Sequence, residues 1–139
     1  MDLPSLPSLL IAAAALVLGT LGVVHVVFTL HGERLHPRDP GVREAMERSA
    51  LRITRQTTMW RANLGFNLSH GLGMAAFALV YGHLALARPE VLATSTFLGG
   101  LGMAVLLAYL ALARRYFFSV PVLGVGFACG LYAVGWTLL

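Results

Sequence analysis

The stretch LLIAAAALVLGTLGVVHVVFTL, which occupies residues 9–30, decides the fold of this chain. It carries no charged side chain, and a helix of about 20 such residues is long enough to cross the hydrocarbon core of a bilayer. Three further uncharged runs follow, at about residues 63–87, 91–113 and 117–138. The sequence therefore predicts an all-α protein, an integral membrane four-helix bundle that forms a single membrane domain over residues 1–139.

The composition is typical of a membrane protein rather than a soluble one. Hydrophobic residues make up 58% of the chain and charged residues only 12%, and the mean hydropathy is +0.77, well outside the range of soluble domains. In a soluble protein the formal net charge of +4 would suggest nucleic acid as a partner. Here the arginines flank the spans without an aromatic binding platform, so we expect no nucleic acid and name membrane lipids, with their anionic head groups, as partners.

The arginines are distributed asymmetrically along the chain. All ten basic residues are arginine, and only Arg88 lies outside the connection 31–62 and the pair Arg114 and Arg115. By the positive-inside rule both of these connections face the cytoplasm, so the N-terminus and the C-terminus face outward. We expect the chain in a bacterial cytoplasmic membrane, that is, a bacterial inner membrane.

The connection 31–62 contains a predicted cytoplasmic amphipathic helix between spans 1 and 2. Asp39 is a good N-cap, and Pro40 is a good first helical residue. A helical pattern follows from Gly41. A solvated connector is one interpretation of this helix, and a gate or lipid-sensing element is the other. The pattern forms one narrow apolar stripe: Val42, Met46, Ala50 and Ile53.

Small residues recur at every fourth position on two of the spans. One series on the second span is Gly65, Ser69 and Gly73, and the fourth span has Gly126 and Gly130. Series of this kind let helices approach each other closely. We therefore expect helix packing at these faces and a homo-oligomer.

Polar side chains occupy another face of the second span. At 100° per residue, Asn63, Asn67 and His70 lie within about 60° of one another. A face that is polar at its cytoplasmic end and apolar farther out suits an amphipathic molecule that enters head first. The alternative is that these side chains only hydrogen-bond to neighbouring helices or to backbone carbonyls. Farther out, the face continues with Met74, Phe77 and Tyr81.

His25 lies near the inner end of the first span, at a depth similar to that of His70 on the second span. Adjacent antiparallel helices could therefore bring the two imidazoles together. They are then alternative ligands of a b-type haem or of a metal ion, or else hydrogen-bonded core histidines. The sequence offers no third metal ligand, so no metal site is assigned.

No catalytic constellation is evident in the sequence, and the catalytic residues are unknown. All six acidic residues lie in the termini or connections, so no buried carboxylate relay is expected. Ser69 and His70 are consecutive on a helix and point in different directions, so they do not form a nucleophile–base pair. Whether the protein catalyses a reaction stays open.

Three short motifs carry a resemblance to a known class of proteins. They are LHPRD at residues 35–39, TTMW at residues 57–60 and GFNLSHGLG at residues 65–73. With them the chain resembles a family of small, uncharacterised bacterial membrane proteins that have four predicted spans. The resemblance covers most of the chain and implies the four-span class without an activity.

The chain is also similar, more weakly, to the MAPEG family, membrane-associated proteins in eicosanoid and glutathione metabolism. Arg61, Asn63 and Asn67 look like parts of the polar cluster that opens that family's second helix. His70 and Met59 stand where the family has Glu and Arg. The similarity implies trimers of four-helix subunits and a glutathione-dependent transfer onto hydrophobic substrates, with glutathione as the cofactor.

These observations lead to one main hypothesis and two alternatives. We expect a binding module whose polar pocket, at the cytoplasmic end of the bundle, takes the head of a lipid-like or other amphipathic, anionic molecule. The alternatives are a MAPEG-like glutathione-dependent transferase and a bis-His b-type haem protein. The predicted ligand-binding residues are Asn63, Asn67, His70, His25, Arg52, Arg55, Arg61, Trp60, Met74, Phe77 and Tyr81.

Overall fold

The computed structural model describes residues 4–139, which are mostly helical. Four of the helices are long and apolar enough to cross a membrane, so the predicted all-α class with four such segments is confirmed. In chain order the elements are α1 (Leu6–Leu30), α2 (Pro40–Arg48), β1 (Ala50–Leu51), β2 (Thr54–Thr58), α3 (Met59–Ala87), α4 (Pro89–Thr94), α5 (Thr96–Tyr116) and α6 (Ser119–Thr137). The four long apolar helices are α1, α3, α5 and α6.

The second long helix begins earlier than the predicted span at residues 63–87. It starts at Met59, directly after β2. The hydroxyl of Thr58 accepts a hydrogen bond from the backbone N–H of Arg61 at 3.3 Å. Because a hydroxyl at this position satisfies one of the free N–H groups of the first turn, Thr58 caps the helix. The apolar pattern alone places the helix start at the first run of uncharged residues, which lies beyond this cap.

The predicted span at residues 91–113 is divided in the structure. Ser95 has an extended backbone conformation, with φ −102° and ψ 92°, and separates α4 from α5. Its hydroxyl accepts a hydrogen bond from the N–H of Leu98 at 3.2 Å. A serine side chain that bonds to the backbone in this way begins a new helix. The long helix therefore starts at Thr96, and residues 89–94 form a short helix of their own.

The predicted amphipathic helix in the connection is present but shorter than the apolar stripe. The carboxylate of Asp39 accepts a hydrogen bond from the N–H of Gly41 at 2.8 Å, so the predicted N-cap is confirmed. The helix ends at Arg48, because Ser49 is extended. The assignment of Ala50 and Ile53 to its apolar stripe was wrong.

These two residues belong to an antiparallel hairpin formed by β1 and β2, with a register shift between its two residue pairs. Ile53 lies in the connecting turn and is 89% exposed. The segment that follows it contains Thr54, Thr57 and Thr58, and β-branched residues favour extended backbone over helix. The turn has no Gly or Asn, so it lacks the usual sequence signal of a hairpin.

The chain forms two compact units. The first unit contains the residues up to Leu21 together with Met74–Leu139, and its core lies around Tyr132, Leu106 and Leu18, all fully buried. Two glycine contacts make this packing tight: a Cβ on Gly19 would lie 2.6 Å from the Cβ of Ala78, and a Cβ on Gly135 would lie 2.9 Å from a backbone carbonyl oxygen.

The second unit contains residues Gly22–Gly73. It comprises the end of α1, the whole connection and the first half of α3. A Cβ on Gly71 would lie 2.6 Å from Cγ2 of Val26 and 2.8 Å from the carbonyl oxygen of Gly22. The two helices therefore approach closely at this point, where only glycine fits. The base of the hairpin is closed by a 2.8 Å hydrogen bond from the N–H of Met59 to the carbonyl oxygen of Ser49.

The small-residue series predicted for packing have few contacts inside the chain. A Cβ on Gly65 or on Gly130 would meet nothing within 4 Å, and the nearest atom to a Cβ on Gly126 is 3.8 Å away. Ser69 is exposed and donates its hydroxyl to the carbonyl of Phe66 at 2.9 Å. Within residues 4–139, Gly65, Ser69 and Gly130 are therefore exposed, and homo-oligomer formation stays a prediction.

Candidate functional site

A chain of polar side chains joins α1 to α3 within the second unit. Nε2 of His25 and Oδ1 of Asn67 lie 3.1 Å apart. Nδ2 of Asn67 donates to the carbonyl oxygen of Asn63 at 2.9 Å and to its side-chain Oδ1 at 3.3 Å. Three of the residues predicted from sequence are therefore hydrogen-bonded to one another. All three are half-buried.

The ring of His70 lies against that of His25. The two ring centroids are 5.2 Å apart and the rings meet edge to face at 71°. The structure thus brings together the two histidines that the sequence placed at similar depth. His25, Asn67 and His70 form one cluster, with Asn63 behind Asn67.

The close contact at Gly71 explains why these side chains can meet. Gly71 follows Asn67 by about one helical turn, and Gly22 precedes His25 by slightly less than one turn. Since the backbones touch at this glycine pair, the side chains one turn away span a short gap. A 3.1 Å bond between an imidazole and an amide is then possible without any bridging group.

The arrangement of the two rings does not fit a bis-His haem. The axial imidazoles of such a haem bind iron from opposite faces of the porphyrin, each through a nitrogen about 2 Å from the metal. Here Nε2 of His25 is bonded to Asn67, and the edge-to-face contact leaves no gap for a macrocycle between the rings. Within residues 4–139, no group of three or more His, Cys, Asp or Glu side chains could hold a metal ion.

The three arginines predicted to attract an anion are exposed in the second unit. Arg52 lies in the hairpin turn, Arg55 on β2 and Arg61 in the first turn of α3. None has a carboxylate partner among residues 4–139. The ion pairs of the second unit are Arg43 with Glu47 and Arg48 with Glu44, and the first unit has Arg88 with Glu90.

Trp60 is placed differently from the other predicted ligand-binding residues. It is 7% exposed, and its ring is covered by two residues of the connection. The ring centroid lies 4.9 Å from that of His36, edge to face, and 4.9 Å from the guanidinium carbon of Arg43. Arg43 also donates toward Nδ1 of His36 at 3.4 Å. Trp60 therefore fastens the connection to the start of α3.

No sequence pattern predicts His36 and Arg43 as partners of Trp60. Trp60 lies far from both residues in the sequence, and neither helical nor strand periodicity places the three side chains together. The only available signal was chemical: arginine and histidine commonly stack on a tryptophan ring.

The three residues predicted to contact a ligand tail lie in the first unit. Met74, Phe77 and Tyr81 are 5%, 6% and 5% exposed and belong to its core. The rings of Phe77 and Tyr81 are stacked with centroids 4.4 Å apart. The hydroxyl of Tyr81 donates to the carbonyl of Leu98 at 2.9 Å. A ligand tail would have to displace this packing to touch them.

Comparisons with protein-family models, with curated proteins and with solved structures gave no match.

Proposed function

We propose that this protein binds the head of an anionic, lipid-like molecule at the polar cluster of the second unit, on the cytoplasmic side of a bacterial inner membrane. The site is formed by His25, Asn63, Asn67 and His70. The observation that carries the proposal is the hydrogen-bonded chain from His25 through Asn67 to Asn63, half-buried between two largely apolar helices. Polar side chains in such helices are costly, and for that reason they commonly mark functional sites.

The arginines supply the preference for an anion. Arg52, Arg55 and Arg61 have no carboxylate partner within residues 4–139, and all lie in the same unit as the cluster. A basic residue near a membrane surface contributes about 1 kcal/mol of attraction to anionic lipid. We assign them the role of concentrating the anion at the cytoplasmic surface. The tail of the ligand stays in the surrounding bilayer, since Met74 and Phe77 are buried.

The asymmetry of the arginines supports the membrane orientation in this proposal. Nine of the ten would lie on the cytoplasmic side, with both termini outside, as the positive-inside rule predicts. The open small-residue faces around Gly65 and Gly130 are available for contacts between copies.

The test is lipid binding by the purified protein in nanodiscs, measured by native mass spectrometry and by the thermal unfolding midpoint. An anionic lipid should raise the midpoint relative to phosphatidylcholine, because a ligand present at one hundred times its Kd stabilises a folded protein by about 2.7 kcal/mol. Arg61→Gln should weaken this effect, whereas Arg88→Gln, on the opposite side, should not. Equal midpoints in anionic and zwitterionic lipid would contradict the proposal.

The same sample separates the two alternatives. An absorption spectrum with a Soret band that disappears in His70→Ala would establish the haem protein instead. Stabilisation by glutathione, without stabilisation by anionic lipid, would favour the transferase that the MAPEG similarity implies.

A further inference from the structure

The orientation of the Asn67 amide is fixed by its neighbour on α3. Nδ2 of Asn67 lies 2.9 Å from the backbone carbonyl oxygen of Asn63. A carbonyl oxygen can only accept a hydrogen bond, so the atom facing it must be the NH₂ group. With the amide turned the other way, two oxygens would face each other at that distance. Oδ1 of Asn67 therefore faces His25.

The tautomer of His25 follows from this orientation. Because Oδ1 of Asn67 only accepts, Nε2 of His25 must carry the proton in the 3.1 Å bond. In a neutral imidazole the other nitrogen, Nδ1, then has a free lone pair and is an acceptor. Thus Asn63, through Asn67, determines which nitrogen of His25 is presented to a ligand.

Nothing within residues 4–139 donates a hydrogen bond to Nδ1 of His25. The nearest hydroxyl on the same helix, that of Thr29, donates to the backbone carbonyl of His25 at 2.7 Å instead. No buried side-chain nitrogen or oxygen lacks a partner in the described part of the chain. Because it has no hydrogen-bond partner there, Nδ1 is not fully buried, as expected for a half-buried side chain.

We infer that Nδ1 of His25 accepts a hydrogen bond from the bound molecule, and that the ligand is an anionic lipid whose head group carries a free hydroxyl. This inference rests on the proposed function, because it specifies the ligand of the same site. A bare phosphodiester offers only acceptor oxygens, so it satisfies the arginines but not Nδ1. A glycerol or other polyol esterified to the phosphate supplies both the negative charge and the donor.

The test compares two lipids that differ in the donor alone. Phosphatidylglycerol and phosphatidylmethanol of identical acyl chains have the same charge, but only the first has free hydroxyls. In a native mass spectrometry competition from nanodiscs, the wild-type protein should retain phosphatidylglycerol about fivefold better, the factor expected for one additional hydrogen bond. His25→Ala should bind both lipids equally, and His83→Ala, which removes an exposed imidazole from α3, should keep the preference.

A second measurement reads the tautomer directly and needs no variant. The ¹⁵N chemical shifts of the His25 ring should report a proton on Nε2 and none on Nδ1. A proton on Nδ1, or equal binding of the two lipids by the wild-type protein, would overturn the inference while leaving the proposed function standing. If neither lipid binds better than phosphatidylcholine, the proposed function fails, and the inference fails with it.

Discussion

Oδ1 of Asn67 accepts a hydrogen bond from Nε2 of His25 at 3.1 Å, and this bond joins α3 to α1. Nδ2 of Asn67 also donates to the carbonyl oxygen of Asn63, so the amide cannot rotate without losing this second hydrogen bond. In an apolar helix pair, each polar group that lacks a partner is costly. The three side chains therefore stabilise the fold, and they also orient the imidazole of His25, which is proposed to accept a hydrogen bond from the ligand.

Asn67→Ala should lower the free energy of unfolding by about 1 kcal/mol, within the range measured for interhelical hydrogen bonds in membranes. Asn63→Ala is the matched control, because it removes only the 3.3 Å bond and leaves the 2.9 Å bond to the backbone. Its effect should be less than half as large. Denaturant titration in detergent micelles measures both values. A larger loss in Asn63→Ala would contradict this account of the cluster.

Gly71→Ala should destabilise the protein by about 1–3 kcal/mol, the usual cost of overpacking. The added methyl group would lie 2.8 Å from the carbonyl oxygen of Gly22, and a backbone atom cannot move aside cheaply. Gly65→Ala, on the same helix, would meet nothing within 4 Å and should not destabilise the monomer. Thermal unfolding in micelles compares the two variants. An equal loss of stability in both variants would mean that Gly65 also lies in an interface, as in the predicted oligomer.

The contrast between these two glycines indicates what the sequence could and could not predict. Uncharged runs predicted the four long helices, and the rise of 1.5 Å per residue correctly placed His25 level with His70. Four-residue spacing marked Gly65, however, whereas the close contact is at Gly71. A four-residue spacing identifies a helix face of small side chains, but it does not predict which helix packs against that face.

The connection was harder to predict, since its structure depends on contacts distant in sequence. The N-cap at Asp39 was correctly predicted from local chemistry. The hairpin was missed, because its turn at Ile53 has none of the usual turn residues. The partners of Trp60 were missed as well, because its contacts with an imidazole and a guanidinium depend on tertiary structure and produce no periodic pattern in the sequence.

Tyr132→Phe should cost about 1 kcal/mol, the net value of a typical hydrogen bond. Tyr132 is fully buried, and its hydroxyl donates to the carbonyl oxygen of Gly99 at 3.1 Å. Tyr116→Phe is the control, because Tyr116 is 71% exposed. It should leave the unfolding free energy unchanged. The two variants can be compared by calorimetry in the same detergent, and a larger effect at Tyr116 would contradict the assignment of Tyr132 to the core.

Arg43→Ala should expose the ring of Trp60 to solvent more than Arg48→Ala does. Both variants remove one arginine from an i,i+4 ion pair on α2. Arg43 also covers the ring of Trp60 at 4.9 Å, a contact worth about 0.5–1 kcal/mol at a partly exposed site. Arg48 forms an exposed ion pair with Glu44, which contributes about 0.3–0.5 kcal/mol.

The measurement is collisional quenching of Trp60 fluorescence in a Trp136→Phe background, in which Trp60 is the only tryptophan. Because Trp60 is 7% exposed, quenching by iodide should be weak in the parent protein and in Arg48→Ala. It should increase clearly in Arg43→Ala, since the guanidinium no longer shields the ring. Strong quenching in the parent would mean that Trp60 is open to solvent and available to a ligand, as the sequence alone suggested.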